Sequence, residues 1–367
     1  MLGIIIAATK ANGGTGPLMT SKTTISGSTY SWNWVYGIVS QYGSIAAGVT
    51  NMADYTRFSE KKYSPYPGTI ISWFTLGVVI PLMGLITLSA IEGRYGVTYW
   101  KPNDIMNLWL EDNYTPAVRA GVFFASMAFV SSQLVYNVMG NAIPGGMDMS
   151  GLCPQFINIR RGAYITALLS WVIQPWDFYN TSSTFVTVMS SFSVFMTPLI
   201  ACWICDYFII RKRKLKLSDL YSLEEGGEFW YWKGLNLRGL LAWACSSAPG
   251  IAGLVNQANT DLPISEGAKH FYDGNLFFGF VIAFFVYYVS NLIFPMKKLD
   301  ELDQVDYFKI YTPEQIQQKG LISYEEYKAG VLPQEDDSVE SGSASGSKEI
   351  TQIEYELTGD KTATVEV

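Results

Sequence analysis

Residues 63–91 read YSPYPGTIISWFTLGVVIPLMGLITLSAI, 29 residues without Asp, Glu, Lys or Arg between Lys62 and Glu92. A bilayer core about 30 Å thick is crossed by roughly 20 helical residues. A soluble helix of that length would carry a charged face. The run therefore reads as a membrane span, and the same test applied along the chain decides the fold. Uncharged runs of 31, 28, 28, 22 and 23 residues follow Lys22, Arg119, Asp177, Arg238 and Asp273. A seventh, of 15 residues after Arg161, is short for a span unless its ends snorkel. Spans are expected near 31–53, 68–90, 119–143, 162–176, 183–210, 238–256 and 274–295. The expectation is an all-α polytopic membrane protein with about seven transmembrane helices within residues 1–298. Residues 299–367 read as a polar tail, disordered from about 335, with one short helix over Pro313–Lys319.

Charge between the spans gives a topology. Arg57, Lys61 and Lys62, then Arg160 and Arg161, then RKRKLK at 211–216, then Lys297 and Lys298 fall in every second loop. Cytoplasmic loops carry the excess of Lys and Arg. Those loops and the C-terminus are thus expected in the cytoplasm. The sequons Asn113-Tyr-Thr and Asn180-Thr-Ser fall in loops assigned to the outside and are candidate glycosylation acceptors. Met1-Leu-Gly-Ile-Ile-Ile-Ala-Ala is apolar, too short to cross, and lacks a signal peptide's basic start and cleavage site. It reads as the end of an earlier helix, so an N-terminal truncation is expected.

Enzyme chemistry finds no foothold. There is no nucleophile–base pair, no phosphate loop and one His, His270, on an outer loop. Cys202 and Cys205 form a CxxC inside a span and read as small packed thiols, with no metal, cofactor or disulfide expected. The net charge of −7 sits largely in the tail, and no nucleic-acid partner is expected. In the opening motif of the inner loop, NMADYTRF (51–58), Asp54 and Arg57 read as a local ion pair bracing a helix end.

Polar groups within lipid are costly and mark function. Gln133, Asn137 and Asn141 recur every fourth residue and share one helix face. Amides donate and accept, which suits a heterocycle with ring nitrogens and carbonyls; the alternative is interhelical glue. GIVSQYGSIAAGVTN (37–51) is small and polar enough for close packing or for a broken, substrate-holding helix. Pro198 kinks the span at 183–210, where Ser190, Ser191, Ser193 and Thr197 can satisfy freed carbonyls. TSSTF (181–185) reads as a helix start capped by Asn180, Thr181 or Ser182.

Several strings carry a resemblance: NMADYTRF at 51–58, MGNAIPGGMDMSGLCPQFINIRRG at 139–162, and QPWDFYNTSSTFVTVMSSFSVFMTPLIACWICDYFIIRKRK at 174–214. They resemble the fungal nucleobase:cation symporter-1 family over about residues 20–330. GGMDMSGL, YWKGLNLRGLLAWACSSAPGIAG and DQVDYFKIYTPEQIQQKGLISYEEY resemble its thiamine and nicotinamide riboside branch more than its uracil and uridine branch. The resemblance implies a five-plus-five inverted-repeat (LeuT-like) transporter, with these seven spans as helices six to twelve. It places substrate between helices one, three, six and eight. Here it implies contacts from Asn141, with Asn137 beside it, and from Gly43, Ser44 and Ile45. Ile45 stands near the place of an aromatic residue in some relatives, with Tyr42 as substitute. Val135 and Tyr136 stand where sodium-coupled relatives carry hydroxyl ligands, so a proton is the expected coupling ion rather than sodium. No carboxylate in the spans offers itself as carrier. The expected function is a plasma-membrane symporter for thiamine or a related heterocycle. A uracil, uridine, allantoin or nicotinamide riboside permease is the rival within the class. A non-transporting fragment or structural membrane protein is the rival outside it. The missing N-terminal helices are expected to complete the site, and these 367 residues alone are expected not to transport.

Overall fold

The computed structural model describes residues 1–59, 61, 63–153, 155–179, 182–220, 227–259, 261–296, 303–307 and 309–331. The chain divides into two units, Met1–Lys214 with Trp230–Lys298, and Leu215–Phe229 with Leu299–Val367. Asn180, Thr181, Lys62, Lys297, Lys298 and the tail from 335 lie outside the described residues.

The first unit is helical. It runs α1 (Leu2–Asn12), α2 (Gly27–Thr50), α3 (Met52–Thr56), α4 (Pro65–Tyr95), α5 (Pro102–Asp112), α6 (Pro116–Asn137), α7 (Ile143–Leu152), α8 (Ile159–Ile173) and α9 (Ser182–Ile204). After α10 (Leu217–Leu220), which belongs to the second unit, come α11 (Leu237–Ala258), α12 (Glu266–Asp273) and α13 (Asn275–Ile293). Two π-helical turns, Val138–Ala142 and Cys205–Ile210, extend α6 and α9. Starts follow capping chemistry: Asn158 Oδ1 accepts from Arg161 N at 2.9 Å, and Asn236 Oδ1 from Gly239 N at 3.2 Å. Gly13 ends α1 in the left-handed conformation, φ 75°, that glycine adopts without a Cβ clash.

Among the described residues, four helical runs are long and apolar enough to cross a membrane: Pro65–Tyr95, Pro116–Leu152, Thr184–Ile210 and Asn275–Ile293. Seven were expected, because freedom from charge was the criterion. Helices occupy the other three places too, but they are less apolar or shorter. Half of the 24 residues of α2 are Gly, Ser, Thr, Asn or Gln, and α8 has 15 residues.

α9 is the hub, packed against α2, α11 and α13. Pro198 has no N–H for the Val194 carbonyl one turn back. Ser247 Oγ of α11 donates to that carbonyl at 3.2 Å, and Trp243 Nε1 donates to Phe195 O at 3.0 Å. Ser190, Ser191, Ser193 and Thr197 each bond a carbonyl of the preceding turn, at 2.5–3.1 Å. Cys202 and Cys205 are free thiols buried with Ala201, Ala242, Ala283 and Tyr287. At the end of α9, Arg211 Nε donates to Asp206 Oδ2 at 2.7 Å and Tyr287 Oη donates to Asp206 Oδ1 at 3.0 Å. Asn236 Nδ2 donates to Tyr287 Oη at 3.2 Å, so one carboxylate ties α9, α11 and α13 together. Arg211 is 6% exposed, and deleting either partner would strand a buried charge.

The second unit is small. Strands β1 (Val305–Asp306) and β2 (Ile322–Ser323) pair in parallel. α14 (Pro313–Lys319) and α15 (Tyr324–Lys328) both begin with capping boxes, Thr312 with Gln315 and Ser323 with Glu326. Asp306 accepts from the N–H groups of Ile310 and Tyr311, both at 2.9 Å. The Ser323 backbone and hydroxyl donors hold the Glu326 carboxyl below its ordinary value.

Candidate site on the uncharged helices

α2 uses two faces. On one, Gly43 meets α9 so closely that an added Cβ would lie 2.5 Å from the Met189 carbonyl oxygen. Glycine is required there by packing, so Gly43 belongs to the helix interface rather than to an open cleft. On the other face, α2 lines a cleft of about 640 Å³. Tyr30, Trp34 and Tyr42 of α2 and Trp73 of α4 supply aromatic walls, Asn33 and Gln41 supply amides, and Ile38 and Ile45 supply apolar surface. Trp34 is 61% exposed, and its ring meets Tyr30 edge-on with centroids 6.3 Å apart. Ser44 Oγ donates to the Gln41 carbonyl of its own helix at 2.7 Å.

The amide face of α6 is a ladder. Asn141 Nδ2 donates to Asn137 Oδ1 at 2.8 Å, and Asn137 Nδ2 donates to the Gln133 carbonyl at 3.0 Å. All three side chains are exposed. The ladder leaves Asn141 Oδ1, one N–H on each Asn and the whole Gln133 amide for a ligand. The cleft lining does not include Gln133, Asn137 or Asn141, so the two halves of the expected site stand as separate surfaces of this unit.

A larger crevice of about 860 Å³ lies between α1, α4, α5 and α6, lined largely by small and apolar side chains such as Gly3, Ala7, Gly121 and Ala125. Its charges are spent on each other: Arg94 Nη2 donates to Asp112 Oδ2 at 2.8 Å, and Tyr95 Oη donates to the same oxygen at 2.9 Å. The Arg94 guanidinium, then the Tyr95 hydroxyl, hold the Asp112 carboxyl below the usual carboxylate range. The α2 cleft, with unspent amides and uncovered aromatic faces, is the better ligand surface.

Three expectations change. Asp54 and Arg57 form no ion pair among the described residues; Arg57 lies over the Phe58 ring, 5.8 Å from its centroid. Asp54 lies within α3 and Arg57 just beyond its end. His270 is not on an open loop but in α12, stacked on Trp32 with centroids 4.2 Å apart and planes 5° apart. Tyr30, Asn33, Trp34 and Trp73 were not anticipated as cleft residues, although the aromatics of TYSWNWVY (29–36) were a signal for Tyr30 and Trp34. Asn113 is exposed just after α5, whereas Asn180 lies outside the described residues. Among the described residues no cluster of His, Cys, Asp and Glu is placed to hold a metal.

The long uncharged helices define a multi-pass membrane protein. A family model described as a permease for cytosine/purines, uracil, thiamine and allantoin matches residues 1–279. A thiamine transporter of Saccharomyces cerevisiae is 42% identical over 327 residues, covering 89% of this chain and 54% of the relative. Nicotinamide riboside transporter 1 of the same yeast gives the same figures, 42% over 327 residues, 89% and 54%. Its uridine permease is 36% identical over 283 residues, 77% of this chain and 44% of the relative. No solved structure matches. The chain belongs to the cytosine/purine, uracil, thiamine and allantoin permease family, whose matched members are transporters rather than enzymes. It spans about half the length of the curated relatives it matches.

Proposed function

We propose that this protein imports thiamine or a closely related cationic heterocycle across the plasma membrane, as a symporter working by alternating access with its C-terminus in the cytoplasm. The observation that carries the proposal is the α2 cleft, where Tyr30, Trp34, Tyr42 and Trp73 offer ring faces beside Asn33 and Gln41. A cation over an aromatic face is attracted by the ring quadrupole. Thiamine joins a cationic thiazolium to an aminopyrimidine, so it can use both the rings and the amides. A neutral pyrimidine could use the amides and stacking but would gain nothing from cation–π attraction. Nicotinamide riboside carries a cationic pyridinium and fits by the same argument, so it is the second reading.

In this account Tyr42 and Ile45 of α2 face the heterocycle, and Asn141, Asn137 and Gln133 of α6, a separate surface in this chain, would reach its donors and acceptors once the site is completed. In relatives of full length, the cleft would be completed by helices outside the shared region. The proposed coupling ion is a proton, consistent with Val135 and Tyr136 at the place of sodium ligands. Expression of the gene in a yeast strain lacking thiamine uptake tests the reading. Labelled thiamine should accumulate, and unlabelled thiamine or nicotinamide riboside should compete far better than uridine or uracil. Uptake no greater than the empty vector's, at confirmed surface amount, would refute it. Equal competition by uridine would refute the substrate class.

A further inference from the structure

Met139 lies between the two asparagines of the α6 ladder, and its carbonyl has no backbone donor. The N–H of Val138 still bonds the Leu134 carbonyl, as an α-helix requires. The N–H of Ile143 then reaches back to Val138 O, which is the π register. In an α register that donor would have gone to Met139 O. In the π register Met139 O would take the next N–H, that of residue 144. Residue 144 is proline and has none. No residue of α6 is buried, and a backbone carbonyl facing hydrocarbon has no water to turn to.

The missing donor comes from elsewhere in the chain. Tyr55, in α3, donates its hydroxyl to Met139 O. We infer that Tyr55 is a positioning residue: its hydroxyl selects the π register at Val138–Ala142 and so sets Asn141 against Asn137. In an all-α register the carbonyl orphaned by Pro144 would be that of Gly140, which Tyr55 does not meet. The two registers place Asn141 at different angles about the helix axis, because a π turn holds more residues per turn than an α turn. The contact also joins the segment that follows the aromatic cleft of α2 to the turn that carries the amides. This inference rests on the reading of Asn137 and Asn141 as substrate contacts.

The test uses Tyr55→Phe, which keeps the ring and removes the donor, in protein expressed from its own gene. At equal surface amount, KM for thiamine should rise about fivefold to tenfold with kcat much less changed, the worth of one net hydrogen bond. Pro144→Ala restores an N–H one π turn beyond Met139. With that N–H the α register is also fully bonded and, being the commoner one, is favoured once Tyr55 is gone. The double variant Tyr55→Phe/Pro144→Ala should therefore regain slow amide exchange without regaining affinity, a split that a merely structural tyrosine would not predict. Amide exchange over residues 139–145 of the purified protein gives a readout independent of transport. It should quicken in Tyr55→Phe and slow again in the double variant. Asn141→Ala separates the two levels of the account. If Asn141→Ala raises KM and Tyr55→Phe leaves KM and exchange unchanged, this inference is wrong and the site stands. If Asn141→Ala leaves KM unchanged while exchange responds to Tyr55→Phe, the register role stands and the amide site falls. Exchange in the double variant as fast as in Tyr55→Phe, or affinity restored in full, would overturn the register role.

Discussion

Trp34 projects from α2 with most of its indole uncovered, in a cleft that also holds two tyrosines and Trp73. If a cationic ring rests on it, Trp34→Ala should raise KM for thiamine about threefold to thirtyfold, the span of cation–π energies from exposed to desolvated sites. Trp34→Phe should raise it less, and uridine inhibition should barely move. Equal KM values for Trp34→Ala and the native protein would remove the cleft from the account. Asp112 gives a pH prediction. Its carboxyl is held low by Arg94 and then by Tyr95, so the pairing stabilises the fold above the ordinary carboxylate range. That contribution is lost as pH falls through the depressed folded value. Melting of the purified protein from pH 7 downward should show the native form losing more stability than Asp112→Asn; parallel curves would deny the pair a role. The amide spacing was legible in the sequence, because a period of four on a helix needs no tertiary knowledge. The cleft was not. An exposed tryptophan near the end of a span looks the same whether it meets lipid headgroups or a substrate.

At the scale of elements, Gly43 shows how one residue can be read twice. The family resemblance implied a substrate contact there, while its small, polar helix left close packing open; an added Cβ would lie 2.5 Å from the Met189 carbonyl of α9. Gly43→Ala should therefore cost about 1–3 kcal/mol through overpacking, lowering the melting temperature and surface amount. KM per transporter at the surface should stay unchanged. A raised KM with normal stability would return Gly43 to the binding site. Helix positions were legible because a run without charge is a property of sequence alone. The π turns at Val138–Ala142 and Cys205–Ile210 were not, because they depend on which carbonyl each N–H reaches. Pro144 announced a break but not its register. The paired strands β1 and β2, two residues each, are too short for a period-two pattern to reveal.

For the whole molecule, function follows from how an uncharged helical unit exposes what a soluble protein would bury or charge. The span Pro116–Leu152 has none of its most apolar stretch buried within the unit, and it carries the amide ladder on that open surface. Alternating loop charge supplies the proposed orientation, and the α2 cleft supplies the proposed chemistry. The most direct measurement is accumulation of labelled thiamine by proteoliposomes holding the purified product of the whole gene, with every helix it encodes. An imposed inward proton gradient should drive thiamine above its external concentration, a protonophore should abolish this, and sodium should be dispensable. Absence of gradient-driven accumulation, or accumulation that requires sodium and ignores the proton gradient, would contradict the account.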